Sequence, residues 1–136
     1  MNLTFTKEER LCSRTLIDRL YNEGHRLMAF PFSVQWIIIE GSSSESSQAS
    51  PCQVMIVAPK RRFHHAVDRN RVRRLTRECY RLRKSTLYEF LDERNIRLAL
   101  SLVYIHNEIM SYEQLGHKMD KLLAALEKDI LNTLEK

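Results

Sequence analysis

The chain has 136 residues, with 22 Lys+Arg, 17 Asp+Glu, 43% apolar content and a formal charge of +5. That length suits one domain, expected to span 1–136, and buries roughly two-thirds of the unfolded chain's surface. No apolar run approaches the roughly 20 residues of a membrane helix, and Glu8 and Glu9 interrupt any N-terminal signal segment. Three widely spaced cysteines, Cys12, Cys52 and Cys79, fit neither a disulfide framework nor a zinc ribbon. A soluble cytoplasmic protein with no membrane partner is expected.

In chain order, Thr6-Lys7-Glu8-Glu9 has capping-box spacing and Ser13 offers a second N-cap. A helix is expected from Arg14 to Asn22, with Leu16, Ile17, Leu20 and Tyr21 on one side. Gly24 would end it in the left-handed conformation. The aromatic and β-branched run from Phe32 to Ile39 predicts a strand, and Gln53 to Ala58 predicts another. The residues between Glu23 and Phe32 leave room for a further short strand. Gly41 to Pro51 holds six serines in eleven residues, a flexible loop too short to separate two domains. A long helix is expected from Val67 to Thr86 and a strand from Leu98 to Ile105. Ser111-Tyr112-Glu113-Gln114 then opens a last helix, with Leu115, Met119, Leu122, Leu126 and Ile130 as its core stripe. This order gives an α+β two-layer sandwich, helices over a small sheet.

The net charge hides a sharper asymmetry. Lys60 to Lys84 holds eleven basic and two acidic residues, a net of +9, while the rest of the chain is net −4. Nine of the eleven are arginines, whose planar forks match phosphate oxygens and stack on bases. A solvated helix face would carry balancing acids at i,i+4. They are almost absent here, so a polyanionic partner is indicated, and nucleic acid fits best.

At 100° per residue, Val72, Leu75, Cys79 and Leu82 form the expected packing stripe of the long helix. Asn70, Arg73, Arg77, Arg81 and Lys84 gather on the opposite, exposed side; Arg74 borders them, with Arg69 and Arg71 flanking near the first turn. The preceding loop adds Lys60, Arg61 and Arg62. Phe63 has two readings: stacking on a base, or anchoring the loop to the core. His64-His65 lack a Cys, Asp or Glu at ligand spacing and suit phosphates better than a metal. No acid–base pair, activated nucleophile or metal cluster is apparent, which argues against a self-sufficient nuclease.

The ordered block Ala58-Pro59-Lys60-Arg61-Arg62-Phe63-His64-His65-Ala66-Val67-Asp68-Arg69-Asn70-Arg71, continuing through Glu78, resembles the signature of the bacterial ribonuclease P protein family. Arg10-Leu11, Tyr21-Asn22-Glu23-Gly24, the Phe32 strand and the capped C-terminal helix follow the family's order. The resemblance implies an α-β-β-β-α-β-α domain with a left-handed crossover through the basic helix. It implies a subunit of ribonuclease P, an endoribonuclease acting as a ribonucleoprotein on precursor tRNA. In such an enzyme the RNA subunit carries the chemistry and holds Mg²⁺, so no catalytic residue or protein metal ligand is implied.

Contact with ribonuclease P RNA then falls on Lys60, Arg61, Arg62, Arg69, Asn70, Arg71, Arg73, Arg74 and Arg77. The 5′ leader of precursor tRNA falls to Ile17, Tyr21 and Gln35, the last standing one residue before Trp36. RNA contact and local capping both fit Asn70, and a core role also fits Ile17 and Tyr21. The alternative function is a free-standing RNA-binding module for another structured RNA.

Overall fold

Ser13 caps the first helix: its hydroxyl accepts from the Leu16 N–H at 3.3 Å, and α1 runs Arg14–Glu23. The computed structural model describes residues 9–11, 13–39 and 51–135. Thr6 and nearly all of the serine-rich loop lie outside the described residues. Gly24 does not adopt the expected left-handed conformation; its φ of −69° and ψ of 154° are extended. What this position requires is room, because a Cβ would lie 2.2 Å from the Leu20 carbonyl oxygen. The chain therefore leaves α1 directly into β1, His25–Ala29, which fills the place left for a short strand.

β2 is Phe32–Ile39, β3 is Cys52–Val57 and β4 is Arg97–Tyr104. They form one four-stranded sheet in the order β1-β2-β4-β3. β2 pairs antiparallel with β1 and β4, whereas β3 runs parallel to β4. A parallel pair needs a crossover connection, and α2, Ala66–Glu93, supplies it. α3, Tyr112–Leu134, opens on the expected capping box, Ser111 and Gln114 bonding reciprocally at 3.2 Å. The chain is thus a mixed α+β domain in the order α-β-β-β-α-β-α. Among the described residues no helix is long and apolar enough to cross a membrane.

Strand alternation sorts the core. Phe32, Val34 and Trp36 of β2 join Leu98, Leu100, Leu102 and Tyr104 of β4 in the main cluster, packed with α2 and α3 residues. Trp36 is fully buried there, and its indole N–H donates to Asp129 Oδ2 at 2.8 Å. On the other face, Ile37 and Ala99 pack with Leu11 and Leu20. That second cluster lies beneath α1.

α2 departs from expectation in length and in rotation. It continues past Thr86 because Leu87, Phe90 and Leu91 extend its buried side. It stops at a Schellman motif: Asn95 takes φ 55°, its N–H donates to Asp92 O at 3.1 Å, and Ile96 N–H donates to Leu91 O at 3.0 Å. The buried side comprises Val72, Thr76, Cys79, Tyr80, Lys84, Leu87, Phe90 and Leu91, while Leu82 is 40% exposed. At 100° per residue this arc is turned by about 90° from the Val72/Leu75/Cys79/Leu82 stripe.

The reason is polar. Lys84 Nζ meets Glu9 Oε2 at 2.5 Å with both side chains buried, and the Tyr88 hydroxyl donates to the same oxygen at 2.5 Å. Lys84 is therefore no part of an exposed cationic face. Glu9 is itself held in place, since the neighbouring Leu11 N–H donates to Val54 O at 3.0 Å. Breaking such a pair on one side leaves an uncompensated buried charge. Lys84→Met should cost about 3–5 kcal/mol in denaturant unfolding, and Lys84→Met with Glu9→Gln should recover much of it. Equal losses for the single and double variants would show that the ion pair does not govern this site.

Candidate nucleic-acid interface

The interface begins in the loop after β3. The N–H groups of Arg62 and Phe63 both donate to Pro59 O, at 3.1 and 3.2 Å, closing a tight turn. Phe63 is buried, 5.9 Å from the Tyr104 ring, so it anchors the loop to the core. Arg69 Nη1 reaches back to the carbonyls of Phe63 at 2.8 Å and His64 at 2.9 Å. Arg62 Nη1 donates to Asn107 Oδ1 at 2.8 Å. Both arginines order the loop, a role that residue type and spacing do not disclose.

Protein partners sort the remaining cations. Arg81 bonds Glu78 at 2.5 Å, which holds the Glu78 carboxyl below its ordinary range. Arg83 reaches Asp120 on α3 at 2.8 Å by passing Gly116, where a Cβ would lie 2.5 Å from its guanidinium. Arg73 donates to Asn70 Oδ1, so Asn70 supports a neighbouring cation instead of capping the helix start, where His65 is the N-cap. Arg73 and Arg77 are half-buried at the border of the exposed side. The face expected over Arg73, Arg77, Arg81 and Lys84 is thus displaced around the helix.

What reaches solvent is Lys60, Arg61, Arg71 and Arg74, all exposed and without a protein partner among the described residues. Val67, Asn70, Arg71 and Arg74 follow i, i+3, i+4, i+7 spacing, so they share one helix face. With Leu75 they line an open groove of about 510 Å³. The N-terminus of α2 adds partial positive charge and free N–H groups beside it. His64 and His65 are exposed nearby. Such a surface can hold phosphates in register.

The second candidate region lies across the sheet, beside α1. Gln35 is buried, facing Arg26 of β1 and Ser101 of β4 in register. Strand parity places it on the α1 side and Trp36 on the other, which settles which of the two belongs here. Gln35 Nε2 and Ser101 Oγ are buried without hydrogen-bond partners among the described residues. Ser101 lies outside the residues expected here; a single small hydroxyl residue within the apolar run 98–103 is the signal the sequence offers. Tyr21 is 43% exposed, whereas Ile17 is half-buried against the Leu20/Ile37 cluster. Ile17 therefore contributes packing, and Tyr21 presents a ring.

Burial pushes the Cys52 thiol up to about 12 and raises Cys79 as well, so both stay protonated at neutral pH.

A sequence profile of the family described as Ribonuclease P matches residues 5–127. The chain is 33% identical over 118 residues to the ribonuclease P protein component of Porphyromonas gingivalis, covering 87% of this chain and 82% of that protein. It is 33% identical over 88 residues to the corresponding protein of Chlorobium phaeobacteroides, 60% of each chain. The fold superposes on the RNase P protein of Staphylococcus aureus with a TM-score of 0.65 at 18% identity, covering 87% of this chain and 94% of that one. For the Thermotoga maritima protein the TM-score is 0.63 at 19% identity, with 85% and 94% covered.

Arg71→Gln and Arg74→Gln preserve helix propensity while removing charge. Each should leave thermal unfolding unchanged and make the log–log salt dependence of binding to structured RNA shallower by about one. Arg69→Ala should instead lower stability by about 1–2 kcal/mol, since two charge-assisted bonds to the loop are lost. An unchanged salt slope for Arg71→Gln and Arg74→Gln would remove this helix face from the interface.

Proposed function

Since the chain belongs to the ribonuclease P protein component family, the protein part of a tRNA-processing ribonucleoprotein, we propose a division of labour between its two surfaces. The basic loop and α2 bind the catalytic RNA; the α1 side of the sheet receives the 5′ leader of precursor tRNA. The observation that carries this reading is the set of unpartnered cations, Lys60, Arg61, Arg71 and Arg74, beside the N-terminus of a 28-residue helix. Arg73 and Arg77 flank that set, and Asn70 orients Arg73. Arg62 and Arg69 act by holding the loop in place.

On the leader side, Tyr21 offers a stacking surface, and one stacked base contributes about 1–3 kcal/mol without demanding sequence. Gln35 stands where the family resemblance expects an aromatic residue. Its amide and the Ser101 hydroxyl supply hydrogen-bonding capacity in place of a second ring.

Mg²⁺ belongs to the RNA in this reading. Mg²⁺ favours carboxylate, phosphate and water oxygens, and the surface described here is cationic. Among the described residues no three His, Cys, Asp or Glu side chains are grouped to hold a metal. The cationic side chains of this surface do not fit a resident Mg²⁺. The contribution of Lys60, Arg61, Arg71 and Arg74 is to neutralise phosphate repulsion where the RNA subunit folds against the protein.

Protein freed of RNA should leave precursor tRNA intact. With ribonuclease P RNA present it should stimulate 5′ cleavage most at low Mg²⁺, and raising Mg²⁺ should narrow the advantage. Tyr21→Ala should weaken binding of leader-bearing precursor about fivefold or more, with leaderless tRNA and RNA-subunit affinity little changed. Equal losses on both substrates would contradict the leader role, and accurate cleavage by the RNA-free protein would overturn the whole reading.

A further inference from the structure

Two parallel ridges run along the start of α2. Val67, Arg71 and Leu75 follow one another at i+4 spacing on the first, and Asn70 and Arg74 do so on the second. Together they line the groove of about 510 Å³, a volume within the roughly 300–1,000 Å³ of small-molecule sites. Phosphates alone would need only cations. This groove also has apolar walls, with Arg71 set between Val67 and Leu75. Val67 is 77% exposed, so it adds little to the core, and a β-branched side chain is a weak helix former. Leu75, two turns on, is only half-buried against the main core. An open apolar pair on a strongly cationic surface fits a partner with a flat apolar face and negative charge. A nucleotide has both.

The polar groups that line the groove are all donors. Arg71 and Arg74 carry only N–H donors, and neither has a protein partner among the described residues. The Asn70 side-chain oxygen accepts from Arg73, which leaves the Asn70 amide nitrogen to donate. Asp68, the acid of the first turn, does not line the groove. A lining of donors discriminates among bases. Guanine presents two adjacent acceptors, O6 and N7, whereas adenine and cytosine each place an amine donor on that edge and uracil offers a single acceptor. Arginine meets O6 and N7 with two parallel N–H bonds. In a paired A-form helix the same edge lies in a deep, narrow groove closed to side chains, so the base must be unpaired.

Resting on the RNA-binding role proposed above for α2, we propose that this groove holds one unpaired guanine of the RNA subunit. Val67 and Leu75 cover the base, and the Arg71 fork meets its O6 and N7. The remaining Arg71 donors, with Arg74 and Asn70 on the second ridge, hold the flanking phosphates. The start of α2 thereby reads one position of the RNA in addition to its charge.

The test binds the full chain to ribonuclease P RNA across a salt series and maps guanine N7 reactivity toward dimethyl sulfate. Val67→Ser should weaken binding about threefold or more at every salt concentration. Its salt slope should be unchanged, because no phosphate contact is lost. Val67→Ile should retain full affinity. One unpaired guanine should be protected at N7 by the natural protein. Arg71→Lys, which keeps the charge and the salt slope but lacks the fork, should expose that guanine again. Full affinity with Val67→Ser, no guanine protected at N7, or protection that survives Arg71→Lys would each refute the base site. If Arg74→Gln still makes the salt slope shallower in that event, the RNA-binding reading of α2 stands without it. If Arg74→Gln also leaves affinity and slope unchanged, that reading fails as well.

Discussion

The rotation of α2 about its own axis decides which arginines meet solvent, and a buried ion pair helps to set that rotation. Lys84 points inward to Glu9, so Tyr80 and Thr76 turn inward with it and Leu82 turns out. Arg71 and Arg74 are then carried to the outer surface, while Arg73 and Arg77 settle at its border. Burying an ammonium and a carboxylate is unfavourable unless each finds its partner and further hydrogen bonds. Tyr88 supplies one such bond to Glu9. The N-terminal segment that brings Glu9 is fixed by the Leu11–Val54 bond. Residues far from the basic surface thereby determine its composition.

A second constraint is strand parity. One residue along β2 separates a tryptophan sealed under α3 from a glutamine on the α1 side. A sheet that buries Trp36, Phe32 and Val34 against α2 and α3 has no freedom to slip by one position, because a slip would invert every side chain. The same sheet gives the protein two separate surfaces. One is the outer side of a helix and presents cations; the other is a sheet face with α1 beside it and presents the Tyr21 ring and the polar groups of Gln35 and Ser101. The loop carrying Lys60, Arg61 and Arg62 leads into the helix surface, and Phe63 and Arg69 keep it ordered.

Periodicity and caps made most of the elements legible in advance. Ser13 and Ser111 mark helix starts by spacing alone, and the β-branched runs locate three strands to within one residue at each end. The charge run likewise points to an anionic partner. What remained hidden depends on distant partners. Lys84 reads as a surface residue until Glu9, 75 positions away, is brought beside it. α2 runs beyond the expected Thr86 to a stop that composition does not flag, because Asn95, not glycine, takes the left-handed position. Gly24 shows the converse, a glycine required by crowding against Leu20 and not by a turn. Among the arginines, local sequence cannot separate Arg69, engaged with loop carbonyls, from Arg71, which has no protein partner among the described residues; only the folded loop does so.

Contact between RNA and the face of α2 near its start is the proposal that depends most on this rotation. It is tested most directly by mapping arginine reactivity toward a dicarbonyl reagent by mass spectrometry, with and without ribonuclease P RNA. Arg61, Arg71 and Arg74 should be reactive in the free protein and protected in the complex. Arg94, about 30 Å along the helix from Arg74, should react equally in both. Protection of Arg94 with Arg71 and Arg74 left reactive would contradict the account.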